Sequence, residues 1–108
     1  MTERAVTVVN PLGMHARAAA RFVHLATRFA SQIRVGRNAK VMDGKSIMGI
    51  LLLAAARGTT ITISAEGSDE VEAVAALAHL VESGFGELPA PPGPSPSVSL
   101  GPGGKWNG

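Results

Sequence analysis

Few residues in this sequence are placed to do chemistry, and the best placed lie in Asn10-Pro11-Leu12-Gly13-Met14-His15-Ala16-Arg17. A turn rich in Pro and Gly is followed at once by a histidine, and a helical pattern begins one residue later. A helix start exposes N–H groups with no intrahelical acceptor and carries the positive end of the dipole. Anions, phosphate among them, are held at such places. Arg17 adds a guanidinium fork matched to phosphate oxygens. Gly13 permits close approach and unusual backbone angles. Imidazole, guanidinium and the N–H groups of Ala16, Arg17 and Ala18 would converge on one exposed point. That suits a histidine that is itself the nucleophile, taking a phosphoryl group which the N–H groups and Arg17 then stabilise. Histidine keeps a neutral nitrogen available near neutral pH. The same spacing fits a histidine that merely caps the helix.

The other two histidines carry less. His24 falls on a basic helix face and reads as a contact residue, while His79 sits between Ala78 and Leu80 and reads as surface or half-buried. No His-x3-His pair with a third ligand occurs and cysteine is absent, so neither a metal site nor a disulfide scaffold is expected. There is no phosphate-cradling nucleotide loop, no carboxylate cluster for magnesium and no Ser-His-Asp set, and no cofactor is expected. If His15 takes a phosphoryl group, donor and acceptor must both be other proteins. The residues thus describe a carrier rather than a stand-alone enzyme with its own substrate pocket.

These residues need a scaffold, and periodicity supplies one. Residues 3–9 are β-branched with rough alternation, a strand pattern. From Ala16 to Phe29 the period is helical, with Ala19, Phe22, Val23, Ala26 and Phe29 on one stripe and Arg17, Arg21, His24 and Arg28 opposite. Gln32–Val35 and Ala39–Met42 read as a short hairpin turning at Gly36-Arg37-Asn38. Ser46 occupies an N-cap position before Ile47–Leu53. Thr59–Ala65 alternates as a strand. Asp69 with Glu72 resembles a capping box for a last helix whose stripe is Val71, Val74, Leu77, Ala78 and Val81, stopped by Gly84. The order βαββαβα predicts an α+β fold, a four-stranded antiparallel sheet covered on one face by helices.

Length and charge fit one small domain. Of 108 residues, the last 21 hold six of the seven prolines and five of the thirteen glycines. Residues 88–108 therefore read as a disordered tail and residues 1–87 as the folding unit. Residues 1–57 carry nine Lys or Arg against two acids, and residues 58–87 carry six acids with no Lys or Arg. The basic half offers a positive surface to an anionic ligand or partner. Nucleic acid is a weak alternative, because the body has only Phe22, Phe29 and Phe85 as aromatics and no recognised binding motif. No apolar run is long enough to span a bilayer and no signal segment opens the chain, so membrane insertion is not expected and cytoplasmic placement is.

Gly13-Met14-His15-Ala16-Arg17 with its Ala-rich helix resembles the active-site segment of the HPr family, the histidine phosphocarriers of the phosphoenolpyruvate-dependent phosphotransferase system. Gly44-Lys45-Ser46-Ile47-Met48-Gly49-Ile50 resembles that family's serine phosphorylation segment, about thirty residues downstream. The element order matches its open-faced β-sandwich of three helices on four strands, over about residues 3–87. The resemblance implies that enzyme I phosphorylates His15 on Nδ1, that Arg17 stabilises the group, and that an enzyme IIA domain receives it. It implies regulatory phosphorylation of Ser46 by an HPr kinase/phosphorylase, and a docking face at Ala16, Ala20, His24, Thr27, Ile47, Met48, Gly49, Leu51 and Leu52. Part of that face also follows from spacing: with Ile50 and Leu53 inward, Ile47, Met48 and Leu51 are left as an apolar patch, while Leu52 fits core and surface alike. A monomer suits a transient carrier. Ala18 stands where many relatives have proline and, with Leu53–Thr60, resembles a proteobacterial nitrogen-type or mixed branch that often serves regulation. A module whose docking is switched by phosphorylation, with little transport role, is the alternative.

Overall fold

The computed structural model describes residues 1–87, and the Pro-rich stretch read as a tail lies outside them. Seven elements follow in order: β1 (Thr2–Thr7), α1 (Ala16–Ala26), β2 (Gln32–Arg37), β3 (Lys40–Asp43), α2 (Ile47–Leu52), β4 (Thr60–Glu66) and α3 (Glu70–Glu82), with a short 3-10 turn at Gly84–Gly86. The sheet runs β1-β4-β2-β3, antiparallel throughout. This is the expected α+β open-faced sandwich. The two-residue period decides which side is covered. Val6, Ile33, Val35, Ile61, Ile63 and Ala65 turn one way and are buried. Of their alternates, Thr7, Thr60 and Arg34 are exposed and Thr62 and Ser64 are partly exposed.

The helices complete the core from that one side. α1 contributes Ala18, Ala19, Phe22, Val23 and Ala26, and α3 contributes Ala73, Val74, Leu77, Ala78 and Val81. Ile50 and Leu53, from α2 and its end, are fully buried with them. Phe22 and Phe85 are the largest side chains in this core, and burying one such ring contributes on the order of 2–3 kcal/mol.

Several expectations shift. α1 ends at Ala26 instead of Phe29, because the Thr27 hydroxyl donates to the His24 carbonyl and tighter turns follow at Arg28 and Phe29. The hairpin turns at Asn38-Ala39, one step later than expected: Arg37 pairs with Lys40, Gly36 stays in the ladder, and Asn38 takes the left-handed φ of 55°. Val71 lies off the buried stripe of α3 and is 64% exposed. The capping box does not form. The Asp69 carboxylate instead accepts from the N–H groups of Ala30 and Ser31 and from the Ser31 hydroxyl, tying the α1–β2 connection to the start of α3. Glu70, not Glu72, reaches back, to the Gly67 N–H.

Candidate functional site

The turn before α1 presents His15. Asn10 is fully buried, and its Nδ2 donates to the Gly13 carbonyl at 2.9 Å while the Gly13 N–H donates to the Asn10 carbonyl at 3.0 Å. Gly13 has φ +65°, and a Cβ there would lie 2.7 Å from the Ala55 carbonyl oxygen, so only glycine lets the two backbones meet. Met14 follows with a buried side chain and an N–H donated to that same Ala55 oxygen. These anchors leave His15 as the N-cap residue, in extended conformation with its side chain 27% exposed. Its side chain makes no cap hydrogen bond, so the capping alternative does not describe it.

The imidazole is engaged elsewhere. His15 Nε2 lies 2.5 Å from Glu87 Oε2, and Asn10 Nδ2 donates to Glu87 Oε1 at 2.8 Å. Burial disfavours the charged form of Glu87, but the hydrogen bonds from Asn10 and His15 and the charges of His15 and Arg21 outweigh it, holding its pKa below the ordinary value. Arg21 Nη1 donates to the Phe85 carbonyl and so fixes the turn that carries Glu87. An open depression of about 540 Å3 results, lined by Pro11, Leu12, His15, Arg17, Arg21, Gly86 and Glu87.

Most expected residues come together and some do not. Ala16 and Arg17 are exposed beside His15 at the start of α1, whereas Ala18 is fully buried and is out of reach of a ligand. Ser46 caps α2 as expected, its Oγ accepting from the Gly49 N–H at 3.1 Å. Of the docking residues, Ala16, His24, Thr27, Ile47, Met48 and Leu52 are exposed and Ala20 is half-buried. Gly49 is on the buried side of α2, against Met42 and Asp43, and Leu51 leans on the core, so neither adds open surface to the docking face. Leu52, at 54% exposure, takes the place given to Leu51.

Glu87, Asn10 and Arg21 were not singled out by the sequence as site residues. Glu87 is 72 positions from His15, and no spacing rule links them. The available signals were Gly84-Phe85-Gly86, a turn that redirects the chain after α3, and an asparagine at a position fixed by Gly13. Among the described residues no group of three His, Cys, Asp or Glu is disposed to hold a metal, and no helix is long and apolar enough to cross a membrane.

An open-faced sandwich with one imidazole presented at a helix start defines a small α+β protein whose chemistry is carried on its surface. Comparison with known proteins makes this specific. The family described as "PTS HPr component phosphorylation site" matches residues 2–83. The phosphocarrier protein HPr of Cupriavidus necator is 47% identical over 87 residues, covering 81% of this chain and 98% of that protein. HPr of Pseudomonas aeruginosa is 49% identical over 83 residues, covering 76% and 92%. The crystal structure of HPr-C-His from Thermoanaerobacter tengcongensis superposes with a TM-score of 0.79 at 48% identity, over 82% of this chain and 99% of that one. The chain belongs to the HPr family: it is a phosphocarrier of the phosphotransferase system.

Proposed function

We propose that His15 is the residue that carries the phosphoryl group, on Nδ1. The observation that supports this is the engagement of Nε2 by Glu87, which leaves Nδ1 as the ring nitrogen with a lone pair to give. Arg17 stands in the same depression with no hydrogen bond or ion pair among the described residues. It is the guanidinium available to the phosphoryl oxygens, with the N–H groups of Ala16 and Arg17 beside it. Enzyme I, charged from phosphoenolpyruvate, is the donor and enzyme IIA domains are the acceptors. The exposed parts of α1 and α2, with Ile47, Met48 and Leu52 as an apolar patch beside the basic Arg17 and His24, form the face that meets them. Exchange takes place in the cytoplasm, with the chain as a monomer. Incubated with enzyme I and phosphoenolpyruvate, the protein gains one acid-labile phosphate, and His15→Ala abolishes it. Label persisting in that variant overturns the assignment.

Ser46 is the regulatory site in this proposal, modified by an HPr kinase/phosphorylase. Its oxygen accepts the Gly49 N–H and its own proton has no role in the cap, so the hydroxyl is chemically free. A phosphate there adds a charge of about −1.5 to −2 at a helix start, which leaves the fold intact. It also places that charge beside Ile47 and Met48 and opposes docking on acidic partners. Ser46→Asp therefore slows transfer from enzyme I; rates equal to those of the unmodified chain would refute this. The same switch supports the branch in which the carrier serves regulation more than bulk sugar uptake.

A further inference from the structure

The carboxylate of Glu87 meets His15 from a turn that is unusually well held. Phe85 is 1% exposed and adopts the left-handed φ of 56° between Gly84 and Gly86, which also have positive φ. Its carbonyl receives Arg21, and the Glu87 N–H returns to the Gly84 carbonyl at 2.9 Å. A bulky residue in that region persists only where its surroundings hold it there. Glu87 is also oriented from below. Asn10 Nδ2 donates both to Glu87 Oε1 and to the Gly13 carbonyl, and two acceptors on one atom identify it as the amide nitrogen. Asn10 Oδ1 is buried without a hydrogen-bond partner among the described residues, so the amide is oriented for its two donations at the expense of its oxygen.

We propose that Glu87 is a positioning residue for His15, holding the ring proton on Nε2 and thereby presenting Nδ1 to the incoming phosphorus. This rests on the reading of His15 as the phosphoryl acceptor and names the group that sets its tautomer. The constellation is nucleophile, orienting carboxylate and a second donor that locks the carboxylate, the logic by which an acid orients a catalytic imidazole. In the transfer step the Nδ1 lone pair forms a bond to phosphorus. The bond from phosphorus to the phosphorylated donor protein breaks, and its electron pair stays with the donor. The ring retains its Nε2 proton and becomes formally cationic, facing the negative carboxylate. On onward transfer the N–P bond breaks, its electron pair returns to Nδ1, and the ring is neutral again.

Two variants separate orientation from mere contact. In Glu87→Gln one oxygen becomes an NH2 group. Asn10 must keep donating to the Gly13 carbonyl, so it claims the remaining oxygen and the new NH2 faces His15 Nε2. That nitrogen must then accept, and the ring proton moves to Nδ1, blocking the nucleophile. Glu87→Ala leaves the ring unheld with both tautomers present. Nitrogen-15 NMR of the full chain, at a pH where the imidazole is neutral, reports the tautomer directly. The expected result is Nε2–H in the wild type, Nδ1–H in E87Q and a mixture in E87A. Phosphoryl transfer from phosphorylated enzyme I is then fastest for wild type, slower for E87A and slowest for E87Q. For E87Q the loss is about tenfold or more in kcat with KM unchanged. Any other rate order, or an Nε2–H tautomer in E87Q, overturns the proposal. If the wild type takes up no phosphate on His15, the acceptor assignment fails while the tautomers still decide the role of Glu87.

Discussion

Single residues decide where the imidazole stands. His15 owes its place to the two residues before it: Gly13 brings its backbone against Ala55, and Met14 locks that contact with a buried side chain and a hydrogen bond. A methyl group at Gly13 meets a carbonyl oxygen at 2.7 Å and sits on a backbone with φ +65°. The obstacle is backbone, so it does not yield as a flexible side chain would. Gly13→Ala therefore lowers stability by about 2 kcal/mol or more, from left-handed strain and the displaced contact together. Phosphate uptake falls further than stability does, because His15 moves away from Glu87. Urea unfolding at constant slope measures the first effect and transfer from enzyme I at a temperature where the variant is folded measures the second. Unchanged uptake in a folded variant would show that the turn does not place the imidazole. The role of Gly13 was legible from its type and its place before a histidine. The role of Glu87 was not, because only the left-handed turn at Phe85 brings residues 72 apart into contact.

At the level of elements, the sequence signals that survived are those set by local chemistry. The alternation of Thr59–Ala65 became β4 within one residue, and Ser46 became a cap through its own hydroxyl. Signals that failed were overridden by tertiary partners. Asp69 has the composition of a capping box, but its carboxylate accepts from the Ala30 and Ser31 N–H groups and the Ser31 hydroxyl and makes no cap bond to its own helix. That clamp has a pH signature. Hydrogen bonding from Ser31 and then from Ala30 holds the Asp69 pKa below its ordinary 3.8. Glu70 is likewise lowered, by the Thr2 hydroxyl first and then the Gly67 N–H. A carboxyl with a depressed native pKa stabilises the fold fully above its unfolded value and loses that contribution as pH falls through the native one. The contribution of these carboxylates to the urea midpoint is therefore flat above about pH 5 and is lost as pH falls below their ordinary values, 4.5 for Glu70 and 3.8 for Asp69. Asp69→Asn lowers the midpoint at pH 7 and reduces its acid slope. An acid slope identical to that of the wild type would remove Asp69 from this role.

Across the whole molecule, charge and shape answer the same requirement. The basic first half places Arg17 and Arg21 in the depression beside His15, while the acidic second half returns Glu87 to that spot and Glu82 to Arg4 at the far edge of the sheet. An open surface with one imidazole suits a protein that must fit into the active sites of successive partners instead of enclosing a substrate. Such a protein needs a rigid body, and among the described residues β1, β2 and β4 share one buried core with α1 and α3. Among the described residues Glu87 is the last that the depression beside His15 uses, its carboxylate contacting both His15 and Asn10. We propose that the working unit ends directly after it. A chain ending at Glu87 retains the urea midpoint and the rate of phosphate uptake from enzyme I, whereas one ending at Gly86 keeps its unfolding free energy to within about 1 kcal/mol but loses rate as E87A does. A drop in midpoint for the chain ending at Glu87 would show that residues 88–108 belong to the folding unit after all.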